Sequence, residues 1–155
     1  MDKTIILLKE ILKAKLGGKI KSFYIGDPIL IPDSMMPCIY IAPSSSTISI
    51  ADNQRDSRMH KIEIAIVIDA RKFFGSTPNE MIGTTFLMEI MSKENTDGTI
   101  DDTTILGVIR DNMQLSLNRF VVGSVSIDYT TRRRTDDLIT LESILTLEIE
   151  HISNR

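Results

Sequence analysis

The chain has 155 residues, 42% hydrophobic and 25% charged, with a formal net charge of −3. This is about one domain of ordinary globular composition; it argues against disorder and lacks the electrostatic footprint of a nucleic-acid reader. A single cysteine, Cys38, excludes an internal disulfide and a CxxC zinc motif, and no apolar run approaches the roughly 20 residues of a membrane span.

The first element is a helix. Asp2 caps it, and Ile5, Leu8, Ile11 and Leu12 form one apolar stripe. The charges at Asp2, Lys9 and Glu10 do not fit a secretory leader. Gly17-Gly18 ends the helix, as glycine does where left-handed backbone angles are needed. From 19 to 70 the pattern is β. Residues 20–25 form a short strand and Gly26-Asp27-Pro28 turns the chain. Pro32, Pro37 and Pro43 confine the segments between them to edge strands or ordered loops. Cys38-Ile39-Tyr40-Ile41 is one short strand and residues 47–51 another, followed by a polar loop or hairpin tip at 52–58. In the strongest strand, His60, Ile62, Ile64, Ile66 and Ile68 alternate with Lys61, Glu63, Ala65, Val67 and Asp69, so one face must be buried.

Helices return at Thr77-Pro78-Asn79-Glu80, a capping box with proline at the first helical position; Ile82, Phe86, Leu87, Ile90 and Met91 supply the apolar face. A polar turn at 94–101 leads to another helix, begun by Asp102 or Thr103 and carrying Ile105, Val108, Ile109 and Met113. In the last third, Val121, Gly123, Val125, Ile127 and Tyr129 line one face of a strand. Ile139, Leu141, Leu145, Leu147 and Ile149 line one face of a longer one. The polar residues 132–137 between them make the end of a long hairpin. Strands arrive in runs rather than alternating with helices. The expected fold is therefore a single α+β domain over 1–155, with a mostly antiparallel sheet, long hairpins and helices packed on one face.

The chemical inventory is sparse. Cys38 with His60 or His151 is the one nucleophile–base combination, but Cys38 lies in an apolar strand between prolines, where cysteine is a small hydrophobe. Asn95, Asp97 and Asp101 match three positions of an EF-hand calcium loop around Gly98. Lys93 and Thr104 stand where its first carboxylate and its bidentate glutamate belong, so a glycine turn and a helix cap describe the segment better. No metal site, cofactor site or catalytic set follows from the sequence. There is no Trp and aromatics are only 5%, so stacking platforms for bases are scarce.

What remains points to surfaces. Arg132, Arg133 and Arg134 are candidates for a partner contact, against a solvated hairpin end balanced by Asp136 and Asp137. Phe73 and Phe74 are candidate interface anchors in the excursion 71–77; the stretches 44–58 and 130–137 are further excursions suited to touching copies and neighbours. Glu142, Glu148 and Glu150 share the face of the last strand opposite the apolar one. A monomer turns that face to water, whereas a closed ring would turn it to a lumen whose acidic wall repels a nucleic-acid backbone.

The order of these pieces is distinctive: a capped helix, the Gly26-Asp27-Pro28 turn, the Met36-Pro37-Cys38-Ile39-Tyr40-Ile41 strand leading to a polar excursion, and the alternating 60–68 strand. A helix opened by Thr77-Pro78-Asn79-Glu80 and the closing Ser143-Ile144-Leu145-Thr146-Leu147-Glu148-Ile149 strand complete it. Over nearly its whole length the chain resembles the tail terminator and tail-completion proteins of long-tailed bacteriophages. The resemblance implies a non-enzymatic α+β subunit of the virion tail or neck. It would form a hexameric homo-oligomer ring that ends tail-tube polymerisation and joins tail to head. Its partners would be the tail tube protein and a head-side neck or connector protein, with DNA only as passing cargo, no membrane and no cofactor. The 103–113 helix and the Asp-rich turn before it exceed what a minimal member needs, which leaves another neck or tail subunit, of head-completion or baseplate type, as the alternative. From other classes, a calcium-binding regulatory module and a Cys38 enzyme are the rivals.

Overall fold

In the computed structural model, which describes residues 2–50, 55–73 and 82–154, helix α1 runs over Asp2–Leu16. It buries Ile5, Leu8, Leu12 and Leu16, spaced so that one stripe faces the core. It ends at the expected glycines for a different reason. Gly17 and Gly18 do not take left-handed angles. Instead, Gly17 donates its N–H to the Lys13 carbonyl at 3.0 Å, and a Cβ there would come within 2.7 Å of that oxygen.

Six strands follow: β1 (Ser22–Ile25), β2 (Cys38–Ile50), β3 (Arg55–Asp69), β4 (Gln114–Ser116), β5 (Arg119–Thr135) and β6 (Leu138–Asn154). They form one sheet in the order β1-β2-β3-β6-β5-β4, in which only the β1–β2 pair is parallel. The expected mostly antiparallel sheet is present. The two short strands expected within 38–51 are a single strand, which passes Pro43 with a register shift between Pro43 and Ser45. Proline is tolerated there because beyond Ile41 this strand is an edge. Residues 55–58, expected in a loop, begin β3, and residues 130–135 are the end of β5 rather than an excursion.

The helical insertion between β3 and β4 comprises α2 (Ala70–Phe73), α3 (Ile82–Ser92) and α4 (Ile105–Asp111). The capping box expected at Thr77-Pro78-Asn79-Glu80 lies outside the described residues. Helix α4 starts later than expected and stops before Met113. Its cap is Thr104, whose Oγ1 accepts from the Gly107 N–H at 3.1 Å. The short α2 was not foreseen.

Helices α1, α3 and α4 cover one face of the sheet. Ile39 and Ile41, then Ile62, Ile64, Ile66 and Ile68, then Leu145, Leu147 and Ile149 meet them in the larger core. Each such side chain gains roughly 1.5–3 kcal/mol from burial. The other face is not simply turned to water. At one end, Ile31 and Met36 from the segment between β1 and β2 close over Cys38, Tyr40, Ala65, Val67 and Leu138 to make a second, smaller core. No described helix is long and apolar enough to cross a membrane.

Candidate functional site

Residues 132–134 lie on β5 and not on its turn, so alternate side chains point to opposite faces. Arg133 is exposed and reaches Asp136 at 3.3 Å. Arg134 points inward. Its side chain is 1% exposed and meets Glu142, whose side chain is fully buried; Nε donates to Oε1 at 2.8 Å and Nη2 lies 2.7 Å from the same oxygen. Arg134 Nη1 also donates to Asp27 Oδ1 at 2.7 Å and to the Pro28 carbonyl, and the guanidinium stands 5.6 Å from the Tyr40 ring centre. Arg132 donates to the second Asp27 oxygen, and its Nη1 is 4.0 Å from Glu142 Oε2. Thr140 Oγ1 donates to Glu142 Oε1 at 2.8 Å.

These contacts correct two expectations. Arg134 is an internal clamp and not a partner contact: it ties the Asp27–Pro28 turn, and with it the segment that roofs the smaller core, to the β5–β6 hairpin. Arg132 is engaged by Asp27, which leaves Arg133 as the solvated member of the triplet. Glu142 likewise leaves the acidic face, because a buried carboxylate between two arginines adds no charge to a wall. Asp27 was missed as the acid that completes the cluster; the signal available was a carboxylate in a turn flanked by Ile25 and Ile29-Leu30-Ile31.

The other two acids stay near the surface. Glu148 pairs with Lys61 at 3.4 Å across β3–β6, and Glu150 accepts from Ser57 Oγ at 2.8 Å. Phe73 ends α2, where its side chain is outside the described residues, and Phe74 lies outside them altogether.

The calcium-loop candidates do not converge. Asp97 Oδ1 accepts from Thr99 N and Oγ1 at 3.0 and 2.6 Å, and Asp101 Oδ1 accepts from Thr103 N and Oγ1 at 2.8 and 2.7 Å. Each carboxylate closes its own turn. Asn95 donates to Thr99 Oγ1 at 3.1 Å. Among the described residues no group of three or more His, Cys, Asp or Glu is placed to hold a metal. Cys38 is buried in the smaller core, and burial pushes its thiol up to about 12, so the thiolate is essentially absent at neutral pH. His60 and His151 lie on the helix-covered face of the sheet, opposite the face that carries Cys38.

The sheet's rim is the more informative surface. β1 covers β2 only along Cys38–Ile41, so residues 43–50 pair with β3 on one side and with nothing described on the other. β4 covers β5 only at Arg119 and Phe120, so among the described residues 122–135 are a second open edge, at the opposite rim and the opposite end of the sheet. Residues 44–50 carry no charge, and Ile48 and Ile50 are 60% and 74% exposed. No protein-family model and no curated protein sequence matches the chain.

Proposed function

We propose that this chain is a structural, non-catalytic subunit of a bacteriophage tail or neck that works by assembling into a ring, as its resemblance to tail terminators implies. The observation that carries the reading is the bare β2 edge. Solitary proteins blunt exposed edges with lysine, proline or a cover, because an unpaired row of N–H and C=O groups recruits another strand. Here residues 44–50 offer an uncharged edge with two exposed isoleucines, and the second open edge lies diagonally across the same sheet.

Two different edges on one subunit make a head-to-tail contact, which closes into a ring when the rotation allows. The resemblance sets the number at six. Capping then follows from shape: a ring seated on the last tube layer covers the surface that would accept another tube subunit, and its far side meets the head-side connector. The face carrying Glu63, Glu148 and Glu150 suits a lumen, since like charge keeps passing DNA from sticking.

The test is light scattering on size-exclusion fractions, with electron micrographs of the same material. The reading expects a closed oligomer that also shortens polymerising tail tubes. Ile48→Lys and Ser49→Pro, both on the exposed strand, should release folded monomers that no longer cap. A wild-type protein that stays monomeric and leaves tube length unchanged would sink it.

A further inference from the structure

At the end of the sheet away from Arg134, one cross-strand row runs through Arg58 on β3, His151 on β6 and Arg119 on β5. Directly opposed residues share a face and stand about 5 Å apart, so two guanidinium stems flank one imidazole. His60, one row further in on the same face, has its ring centre 6.4 Å from that of His151. Like charges placed side by side across strands are destabilising unless something opposes them. Among the described residues neither arginine forms an ion pair with a carboxylate. Glu148 and Glu150 point from the opposite face. On the same face the next acid along β3 is Asp56, one row further out.

The remaining polar groups around the row are rich in donors. Arg119 Nε is buried without a hydrogen-bond partner, and its Nη1 makes only long contacts, 3.4 Å to Ser116 Oγ and 3.5 Å to Asn118 Oδ1. His60 Nδ1 is 2.9 Å from Ser46 Oγ, and His151 Nε2 is 3.3 Å from the Asn118 amide nitrogen. Burial first, and then the surrounding positive charge, hold both imidazoles below their ordinary range. An unpaired guanidinium donor at the rim of a core, beside a second arginine and two histidines, is short of one thing: an acceptor with several oxygens and negative charge.

We propose that Arg58, His60, Arg119 and His151 form an anion site that takes a phosphate group, gripped by the two guanidinium groups and completed by the imidazoles. Planar guanidinium donors match phosphate oxygens and make hydrogen bonds roughly twice as strong as neutral ones. The site lies on the helix-covered face, opposite Glu148 and Glu150, and stands whether or not the chain forms a ring. The phosphate has two possible sources, free inorganic phosphate or the backbone of a nucleic acid.

The experiment titrates the full chain with inorganic phosphate, then with a short single-stranded oligonucleotide, following the histidine ring signals by NMR and the heat by calorimetry. Saturable binding in the millimolar range or tighter is expected, with both His60 and His151 signals moving. Arg58→Gln, at an exposed position that should not disturb folding, should weaken it roughly tenfold, the loss of one charge-assisted contact. Arg133→Gln, an exposed arginine elsewhere, should change nothing. Phosphate alone binding assigns the free ion, and an oligonucleotide that competes with phosphate assigns the backbone. No saturable response to either probe, or an equal loss in Arg58→Gln and Arg133→Gln, overturns the site.

Discussion

Arg134 and Glu142 form an ion pair in which both side chains are sealed from solvent, one on β5 and one on β6, with the Asp27 carboxylate completing the arginine's contacts. Desolvating two charges costs several kcal/mol, and the attraction between them offsets this only while both are present. Arg134→Met should therefore lower stability by about 3–5 kcal/mol, because it strands Glu142. Arg134→Met combined with Glu142→Leu should recover much of that loss. Urea denaturation of the two variants checks this; a double variant no better than the single one would show that the pair acts only through Asp27 and the turn it holds.

Acid should loosen the same region. Burial raises the Asp27 carboxyl, but the hydrogen bonds and charges of Arg132 and Arg134 outweigh it and hold the group below its ordinary value. Asp69, bonded first of all by the Arg71 side chain, is lowered too. The folded state thus takes up these protons less readily than the unfolded chain. Their contribution is fully present above about pH 4, and is lost as the pH falls through the lowered folded values. Between pH 5 and pH 3, Asp27→Asn should show a shallower fall in urea midpoint than the parent; an unchanged slope would remove Asp27 from the account.

Gly107 tests how tightly α4 is seated. A Cβ there would lie 2.1 Å from the Asp101 carbonyl oxygen and 2.8 Å from Asp102 Cα, both of them backbone. Gly107→Ala should cost roughly 1–3 kcal/mol through overpacking. At Gly18 a Cβ meets nothing within 4 Å and the angles are ordinary, so Gly18→Ala should be neutral or stabilising by up to about 1 kcal/mol. Thermal melts of the two variants should separate clearly.

Cys38 should resist alkylation in the native state. With its thiol pushed up to about 12 and no surface exposed, iodoacetamide at pH 8 should label it only as fast as the protein opens. Intact-mass measurement with and without urea distinguishes the states. Rapid native labelling would revive a nucleophilic role.

Periodicity made the long elements readable. Ile62, Ile64, Ile66 and Ile68 alternate because one face of β3 meets the helices, and Leu145, Leu147 and Ile149 do the same on β6. The α1 stripe was legible for the same reason. The faces of β5 and β6 were assigned correctly, but not what covers them. Ala65 and Val67 alternate with the buried isoleucines on the opposite face, and a segment rich in proline and lacking any periodic signal roofs them. Composition misled at 132–137, where six polar residues resemble a loop. Paired backbone carries the strand to Thr135, and alternation then sends Arg134 inward to an acid that is 107 residues away in the chain. Such a partner leaves no local mark. The row of Arg58, His151 and Arg119 is invisible for the same reason, since only strand register unites them.

The central position of β6 bears on how the molecule comes together. It is the last strand in chain order, yet it lies between β3 and β5, and Arg55 pairs with Asn154. During synthesis the inner edge of β3 has no mate until that segment emerges, so the helices can gather on their isoleucines well before the sheet exists. Contacts this distant in sequence are slow to form. A nascent copy therefore passes through a stage in which β3 is open to the wrong strand, and crowding of unfinished chains is where yield should suffer first.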